Sequence, residues 1–232
     1  MDKNNLKIPV HIAMILDGNR RWAKKRGKPA FFGHKMGVEM AKKTVNHALK
    51  RGVKIITLWG FSTENWDRDP KEVSFLMHLF ESFLKSKIKE FTKKGVRFRH
   101  IGDPKRLPTS LQKEILHATE VTKNNDKLIL NLALNYGGRD EIRRMVIKIV
   151  KGGFKPQDIT VDLINKHLDT AGLPDPDLIV RTSGEQRLSG FLSWQGAYSE
   201  LYFPKIHWPD FDDKEFDKAI VELNKRDRRF GK

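Results

Sequence analysis

The sequence contains no cysteine, so disulfide bonds and thiolate metal sites are excluded and a reducing compartment is permitted. It also lacks any uninterrupted apolar run of about 18 residues. Residues 1–5 are polar and do not resemble the start of a signal peptide. Together these absences predict a cytoplasmic protein.

Several motifs that bind phosphates or hydrolyse bonds are missing as well. The chain has neither a Walker-type phosphate loop nor a glycine-rich dinucleotide turn after its first predicted strand, which excludes the corresponding NTPases and dehydrogenases. A histidine–glutamate zinc motif and a serine-hydrolase elbow are also absent.

What the sequence has in excess is positive charge. The 45 lysines and arginines exceed the 29 aspartates and glutamates and give a formal net charge of +16. This charge attracts nucleic acids, phosphorylated small molecules or an anionic membrane surface, and does not choose among them. A length of 232 residues is ordinary for one α/β domain. Since no long linker, repeat or low-complexity tract interrupts it, we expect residues 1–232 to form a single domain.

A short apolar run at residues 10–16 is followed at once by a polar turn that begins at Asp17. The run is too brief for an amphipathic helix and is typical of a strand buried on both faces. Gly18 and Asn19 readily adopt positive φ, so the chain can turn sharply there. An acid followed by two arginines at the end of a strand suggests a site for a cation and a phosphate. The alternative is an ordinary turn with solvated arginines.

The rest of the chain alternates between apolar runs and amphipathic stretches. This pattern predicts an α/β fold with an open, mostly parallel sheet and helices on both faces. The predicted strands span residues 10–16, 53–59, 96–101, 128–134 and 178–180, with further short strands at 191–194 and 206–208. The predicted helices span residues 37–50, 71–91, 110–123, 161–168 and 214–224, with another from 139 to about 150 and a basic loop at 24–29.

Polar clusters directly follow four of the predicted strands, at Asp17, Ser62, Asn135 and Arg181. The carboxyl ends of parallel strands share one edge of a sheet, so we expect these clusters to converge. Four such coincidences favour one composite site over four unrelated turns.

The residue types in these clusters suit phosphate groups and a metal ion. Guanidinium groups bind phosphate oxygens in a bidentate manner, and hydroxyls fill the remaining acceptor positions. So many donors imply more than one phosphate; they are Arg21, Arg68, Arg181, Arg187, Ser62, Ser189 and His34. The carboxylates of Asp17, Glu64 and Glu200 could hold Mg²⁺ against a diphosphate. For each arginine taken alone, a solvated surface charge is the alternative.

The predicted helix at residues 71–91 is apolar on more than one face in its first half. Such a helix is normally buried in the core, and the alternative is that it lines an apolar cavity. The candidates for lining a cavity are Phe75, Leu76, Leu79, Phe80 and Phe83.

Five of these segments together resemble the signature motifs of the cis-prenyltransferase family. The similarity extends from about His11 to Gly231, and the motifs occur in the family's order. The matching segments are Asp17-Gly18-Asn19-x-Arg21-Trp22, Gly33-His34, Phe61-Ser62-Thr63-Glu64-Asn65-Trp66, Asn135-Tyr136-Gly137-Gly138-Arg139 and the stretch from Arg181 to Ser189. The resemblance implies the family's α/β fold, with an apolar tunnel that the helix at residues 71–91 would partly line.

The resemblance also implies an activity. Family members condense isopentenyl diphosphate onto an allylic diphosphate such as farnesyl diphosphate, and each new double bond is cis. We therefore expect a Mg²⁺-dependent enzyme that makes a long-chain polyprenyl diphosphate, with undecaprenyl diphosphate, a lipid carrier for cell-wall synthesis, as the expected product. The family resemblance further implies a homodimer, in which Arg229-Phe230-Gly231 reaches the partner's site, and transient contact with the inner membrane face.

Motif matching implies roles for individual residues. Asp17 would be the essential acid and, with Glu200, a Mg²⁺ ligand, while Asn65 would take part in proton removal. Because an amide is a poor base, we expect the departing diphosphate to accept that proton. The residues implied for the allylic diphosphate are Gly18, Asn19, Arg20, Arg21 and His34, and those implied for isopentenyl diphosphate are Arg181, Arg187 and Ser189. Other expected substrate contacts are Trp22, Leu188 and, on a mobile loop, Ser62, Thr63, Glu64, Trp66 and Arg68.

One position departs from the family pattern. The family usually has an arginine four residues before the Gly-His histidine, and this chain has Ala30 there. Arg20, where many relatives have glycine, adds a cation to the same loop. We therefore expect weaker binding of the allylic substrate with an unchanged reaction type.

Two other classes fit the sequence less well. The trans-type prenyl synthases carry D-D-x-x-D motifs on an all-helical fold, and the similar segment at residues 212–216 ends in Phe216. A basic nucleic-acid-binding module is the alternative from another class, favoured by net charge and aromatic content. We expect no nucleic-acid partner, because most aromatic residues fall in apolar patterns and such a module has no need of carboxylates beside its phosphates.

Overall fold

A six-stranded parallel sheet organises the chain, of which the computed structural model describes residues 6–226. The strands lie in the order β3-β4-β2-β1-β5-β6, and every neighbouring pair is parallel. They are β1 (His11–Ile15), β2 (Ile55–Ser62), β3 (Val96–Ile101), β4 (Leu128–Tyr136), β5 (Leu178–Arg181) and β6 (Glu200–Tyr202). The predicted open parallel sheet is confirmed.

Helices connect most of the strands. In the described part of the chain they are α1 (Asn19–Lys25), α2 (Ala30–Arg51), α3 (Pro70–Lys94), α4 (Thr109–Thr122), α5 (Gly138–Lys151), α6 (Val161–His167) and α7 (Asp213–Asn224). The ends of the two longest follow from local sequence. The Asp69 carboxylate accepts hydrogen bonds from the backbone N–H groups of Lys71 and Glu72 and so starts α3. Gly52 and Gly95 end α2 and α3 in the left-handed conformation that glycine permits.

Alternate residues of β1 point to two different cores. Ile12 and Met14 join a large core that includes buried residues of α2, α3, α4 and α7. Ala13 and Ile15 join a smaller core with Phe191. Nearby, α5 and α6 pack together through a third apolar cluster. Because apolar side chains cover both faces of the sheet, its central strands are mostly apolar, as the sequence predicted. Buried polar exceptions, which are hydrogen-bonded to one another, are His11, Thr57 and Asn131.

Two predicted strands are wrong. Residues 191–194 form turns, and their apolar side chains Phe191 and Leu192 are fully buried in the smaller core without strand pairing. Residues 206–208 lead into the short 3₁₀ helix Trp208–Asp210. In these two segments the apolar pattern predicted burial correctly but predicted the backbone conformation incorrectly. Burial alone does not distinguish a strand from a packed turn.

Other elements were missed or began elsewhere. The predicted basic loop contains the end of α1, whose arginine, lysine and alanine residues favour a helix. Helix α2 begins at Ala30 instead of residue 37, and the three-residue edge strand β6 was not predicted. Among residues 6–226, no helix combines the length and the apolar character that crossing a membrane requires.

Candidate active site

The carboxyl ends of β1, β2 and β5 open into two adjoining polar cavities. The first, called the Arg20 cavity, has a volume of about 520 Å³ and is lined by residues of α1 and the start of α2. The second, called the Ser62 cavity, has a volume of about 310 Å³ and is lined by Ser62, Asn65, Arg181 and Ser189, among others. The residues that line both cavities are Leu16, Asp17, Asn19, His34 and Arg68. The clusters that follow β1, β2 and β5 therefore converge, as the sequence predicted.

Asp17 lies at the junction of the two cavities and faces arginines on two sides. Its Oδ2 accepts hydrogen bonds from Arg181 Nη2 at 3.0 Å and Nε at 3.3 Å, and its Oδ1 accepts one from Arg21 Nη2 at 3.0 Å. Its backbone carbonyl accepts hydrogen bonds from the Thr182 hydroxyl at 2.6 Å and from the Trp208 amide at 3.0 Å. The carboxylate is thus held in place with its charge balanced by two guanidinium groups.

The turn after Asp17 requires glycine. Gly18 has a φ of 104°, and a Cβ atom there would lie 2.0 Å from Ser183 Oγ. The predicted positive φ at Gly18 is confirmed. The same prediction for Asn19 is wrong, because Asn19 is the first residue of α1 and its amide donates a hydrogen bond to the Leu16 carbonyl at 3.2 Å.

Arg181 organises the loop that follows β5. Only 6% of this residue is exposed, and its Nη1 donates hydrogen bonds to Ser189 Oγ at 2.8 Å and to the Arg187 carbonyl at 2.6 Å. The Arg187 side chain is exposed and pairs with Glu185, which also pairs with Arg21. Hydrogen bonds from these two arginines lower the pKa of Glu185. The three predicted residues Arg181, Arg187 and Ser189 thus lie together on one loop.

His34 forms a buried pair with Glu72, a residue that the sequence did not single out. The His34 Nε2 donates a hydrogen bond to the Glu72 carboxylate at 3.1 Å, which leaves Nδ1 as an acceptor in the neutral ring. Glu72 also accepts a hydrogen bond from Arg68 at 3.2 Å and lies 3.8 Å from Arg20. Burial lowers the pKa of His34, although Glu72 acts in the opposite direction. The signal for Glu72 was its place as an acid four residues after Arg68 in a largely apolar helix.

The loop after β2 is held by side-chain hydrogen bonds. Asn65 Oδ1 accepts a hydrogen bond from the Ser62 amide at 3.1 Å, at the start of the 3₁₀ helix Thr63–Asp67. The Trp66 indole donates a hydrogen bond to Asn135 Oδ1 at 2.7 Å. Asn135, which follows the fourth predicted strand, therefore supports the loop and is not among the residues lining either cavity. The predicted mobility of the loop stays a prediction.

Glu64 is an exposed carboxylate of this loop. It lines the Ser62 cavity together with Asp17. It forms no ion pair with any of residues 6–226. Glu64 is therefore a second acid beside the anion-binding residues. The charge of Asp17 is balanced by two arginines, whereas none of residues 6–226 balances the charge of Glu64.

An apolar cavity adjoins both polar ones. It shares Leu16, Asn19 and His34 with them and extends between α2, α3 and the sheet, with about 60 Å³ of open volume. Its apolar lining comprises Val38, Ala41, Leu58, Leu76, Leu79, Phe80, Phe83, Leu130, Leu132 and Trp208, together with Leu16. Four of the five cavity candidates of α3 are thus in the lining. Phe75 is not; its ring contacts Phe31 at 4.9 Å in a separate surface groove.

Residues 6–226 do not provide a complete set of protein ligands for a metal ion. Glu200 of β6 lies opposite Leu178, the first residue of β5. Asp17 lies two residues beyond Ile15, which lies opposite Arg181, the last residue of β5. The carboxylates of Glu200 and Asp17 are therefore near opposite ends of β5. Glu200 forms an ion pair with Arg226 at 2.5 Å. Residues 6–226 contain no group of three or more acids or histidines placed to hold a metal. Mg²⁺ is commonly bound by one or two carboxylates plus substrate phosphates, so the single carboxylate of Asp17 is enough to fit this pattern. The role of Glu200 as a metal ligand stays a prediction.

Of the remaining predicted substrate contacts, Trp22, Thr63 and Leu188 line none of the three cavities. Trp22 is buried, and its indole donates a hydrogen bond to Asp210 at 2.7 Å. Leu188 packs against the smaller core, and the Thr63 side chain lies against Gly137. Arg20 is largely exposed in the Arg20 cavity, which Ala30 also lines. The Arg229-Phe230-Gly231 motif lies outside the described residues.

Comparison with known proteins identifies the family. A family model described as putative undecaprenyl diphosphate synthase matches residues 15–231. An isoprenyl transferase from Clostridium perfringens is 53% identical, with 97% of this chain and 90% of the relative covered. A ditrans,polycis-undecaprenyl-diphosphate synthase from Legionella pneumophila, named as specific for (2E,6E)-farnesyl diphosphate, is 44% identical, with 98% and 97% covered.

A solved structure shows the same fold. Lavandulyl diphosphate synthase from Lavandula x intermedia, in complex with dimethylallyl diphosphate, superposes with a TM-score of 0.94 at 38% identity. The match covers 97% of this chain and 99% of that one. The family predicted from the motifs is confirmed: this chain belongs to the undecaprenyl diphosphate synthase family of prenyltransferases, the cis-prenyltransferases.

Proposed function

We propose that this enzyme condenses isopentenyl diphosphate onto farnesyl diphosphate in successive cis additions and releases undecaprenyl diphosphate. One observation carries the proposal: two polar cavities meet at Asp17, and an apolar cavity adjoins both. Two cavities provide for the two diphosphates of a condensation, and the apolar one provides for the hydrocarbon. The name of the Legionella pneumophila relative supports farnesyl diphosphate as the starter.

The Arg20 cavity is the proposed site of the allylic diphosphate. Arg20 and Arg21 line it, and among residues 6–226 Asp17 is the one acid that does so. Guanidinium groups there would stabilise the charge that develops on the departing diphosphate. Since Nε2 of His34 is bound to Glu72, the ring can donate to a phosphate through Nδ1 only when protonated, and the diphosphate charge would favour that form.

The Ser62 cavity and the loop from Arg181 are the proposed site of isopentenyl diphosphate. Arg181 is already bound by Asp17 and Ser189, so it orients the loop as well as supplying charge. The exposed Arg187 guanidinium is free to turn toward a phosphate if it leaves Glu185. Asn65 Oδ1 is occupied by the Ser62 amide, so Asn65 would position the substrate while the departing diphosphate accepts the proton.

Mg²⁺ is the proposed cofactor, with Asp17 as the ligand that the chain supplies at the junction of the cavities. When bound, the ion would neutralise diphosphate charge and so assist departure of the leaving group. Asp17 would then exchange part of its contact with Arg21, the more exposed of its two arginine partners. Glu200 lies toward the other end of β5 from Asp17, so it is not proposed as a ligand of the same ion, and its metal-binding role stays a prediction.

Further proposals concern assembly and location. We propose that residues 1–232 act as one catalytic domain of a cytoplasmic homodimer that contacts the inner membrane face transiently. Exposed apolar side chains of α5 and the segment after it support the dimer, since exposed apolar surface is common at interfaces. They are Val146, Ile147, Val150, Phe154, Ile159 and Val161.

A product assay tests the proposed function. The enzyme is incubated with labelled isopentenyl diphosphate, farnesyl diphosphate and Mg²⁺, and products are separated by chain length. The expected result is a ladder ending near eleven isoprene units that disappears when the metal is chelated. Absence of condensation with any allylic starter would contradict the proposal, and tight binding of single-stranded RNA in its place would favour the nucleic-acid alternative.

A further inference from the structure

Four exposed side chains surround the point where α2 and α3 begin. We define Phe31, Phe32, Lys35 and Lys71 as the aromatic–basic rim. Phe31 and Phe32 remain 41% and 39% exposed although both are large and apolar. Phe31 and Lys71 line the same surface groove, of about 530 Å³, and the neighbouring Ala30 lines the Arg20 cavity. The rim therefore lies beside the mouth of the proposed allylic site.

The two aromatic rings of the rim are fixed from the protein side. Phe31 contacts Phe75 of α3 with ring centroids 4.9 Å apart. Phe32 stacks on the buried Trp22 at 5.9 Å with an interplanar angle of 17°. Both rings are thus presented to solvent in ordered positions, which lowers the entropy cost of inserting them into another phase.

The charge around the rim has a single sign over a long stretch. Residues 18–38 include seven lysines and arginines and no acid. Lys28, Lys35 and Lys71 form no ion pair with residues 6–226. The nearest acids of α3 are engaged: Asp69 caps the helix and Glu72 is buried against His34. Exposed Glu39 lies one turn beyond Lys35 on α2.

Helix stability does not explain these lysines. Lys71 lies in the first turn of α3, and Lys28 lies two residues before the start of α2. The amino end of a helix carries partial positive charge, so a cation there is slightly unfavourable. An external anionic partner would provide the compensating interaction.

The same two helices carry the rim and the walls of the apolar cavity. Val38 lines the cavity and lies seven residues after Phe31 on α2, which is about two helical turns. Leu76 and Leu79 line it from α3, next to Phe75. A hydrocarbon chain that left the cavity between the first turns of α2 and α3 would emerge at the rim.

We propose that the aromatic–basic rim docks this enzyme onto an anionic phospholipid bilayer, so that the finished prenyl chain passes from between α2 and α3 directly into lipid. This inference rests on the proposed function and adds to it the surface that contacts the membrane. Exposed aromatic rings enter the headgroup boundary, and flanking lysines pair with anionic headgroups. Single-stranded nucleic acid fits less well, because each ring already has a neighbouring ring against it and offers less face for stacking a base.

Vesicle binding tests the proposal on the full-length enzyme. Binding is measured by flotation with phosphatidylcholine vesicles that contain phosphatidylglycerol, and with pure phosphatidylcholine vesicles. We expect salt-sensitive binding to the anionic vesicles only. Each lysine near a charged surface contributes about fivefold, so K35Q/K71Q should weaken binding on the order of 25-fold. F31A/F32A should weaken binding as well, and K35Q/K71Q keeps the test valid if the aromatic variant unfolds.

The matched control removes the same charge elsewhere. Lys50 and Lys127 line a separate basic cavity remote from the rim, and K50Q/K127Q should bind vesicles like the unmodified enzyme. Equal weakening in both double variants, or no binding of the unmodified enzyme to anionic vesicles, overturns the proposal. So does a greater loss of single-stranded RNA affinity than of vesicle affinity in K35Q/K71Q.

Catalysis in detergent separates this proposal from the proposed function. Lys35 and Lys71 line neither polar cavity, so K35Q/K71Q should retain prenyl transfer in detergent solution. An enzyme that binds vesicles through the rim and transfers no prenyl group contradicts the proposed function alone. An enzyme that transfers prenyl groups and binds vesicles equally well without the rim lysines contradicts the docking surface alone.

Discussion

Arg181 at the end of β5 holds the carboxylate of Asp17, two residues beyond β1, with hydrogen bonds of 3.0 Å and 3.3 Å. The pair joins two neighbouring strands at the edge where both polar cavities open. It thereby sets the position of Asp17, the one carboxylate in the described part of the chain that lines both cavities.

Removing this carboxylate should abolish most of the activity. In D17A, turnover should fall by several orders of magnitude, because stabilisation of the departing diphosphate by a placed charge contributes several kcal/mol. The backbone contacts of Asp17 remain, so circular dichroism should show an intact fold. E185A is the matched control, since Glu185 also pairs with Arg21 but lines neither polar cavity. Near-normal turnover in D17A would remove Asp17 from the mechanism.

The arginines of the loop after β5 should act on isopentenyl diphosphate. R187A should raise the KM for this substrate about 10- to 150-fold, the effect of losing one charge-assisted contact, with little change in the KM for the allylic substrate. Its stability should not change, because the side chain is exposed. R181A should show the same KM effect and also lose stability, because it removes the hydrogen bonds to Asp17 Oδ2, Ser189 Oγ and the Arg187 carbonyl, and among residues 6–226 only Arg21 still pairs with Asp17. A larger shift in the allylic KM would mean that the two subsites are reversed.

Side chains that line the apolar cavity should control product length. L79A should lengthen the products, because chain growth stops on steric contact and Leu79 lines the cavity. F75A is the matched control on the same helix, since Phe75 lies outside the cavity and should leave the product ladder unchanged. If L79A costs about 2–5 kcal/mol of stability and yields products of unchanged length, this part of α3 is core only.

The departure at Ala30 should weaken binding of the allylic substrate. Ala30 lines the Arg20 cavity, and the Arg20 side chain is 62% exposed with its nearest carboxylate 3.8 Å away. A30R should therefore lower the allylic KM by up to roughly 10-fold and leave the KM for isopentenyl diphosphate unchanged. An unchanged allylic KM would show that Arg20 or another cation already fills the role. A large loss of activity would show that the small side chain is required for space.

A buried histidine should make the fold sensitive to acid. His11 donates a hydrogen bond from Nδ1 to the Pro174 carbonyl at 2.8 Å, and Nε2 contacts the Thr57 hydroxyl at 2.8 Å. Burial lowers the pKa of His11 to about 4, whereas the unfolded chain protonates near 6.5. The unfolded state therefore binds more protons between these values. Stability is fully present above pH 6.5 and falls by up to about 3 kcal/mol as the pH approaches 4.

Chemical denaturation at pH 7 and pH 4.5 measures this effect. The variant H11Q has no titrating ring at this position, so its free energy of unfolding should depend less steeply on pH over the same range. Equal pH dependence in the two proteins would show that His11 is not the group responsible.

Much of the site was predictable because it depends on local sequence. The apolar run before Asp17 and the turn with positive φ at Gly18 are local, and the parallel sheet brings the ends of its strands together. The His34–Glu72 pair was not predictable, because it joins two helices through tertiary packing. The prediction of a strand at residues 191–194 was wrong for a related reason. These apolar residues form a turn that is buried against the sheet by tertiary packing.

The geometry of the newly formed double bonds tests the central claim most directly. Products made from ¹³C-labelled isopentenyl diphosphate and farnesyl diphosphate are analysed by NMR, which distinguishes cis from trans isoprene units. We predict that every added unit is cis while the units of the starter remain trans. Added units that are trans, or a failure to condense the two diphosphates, would contradict the account.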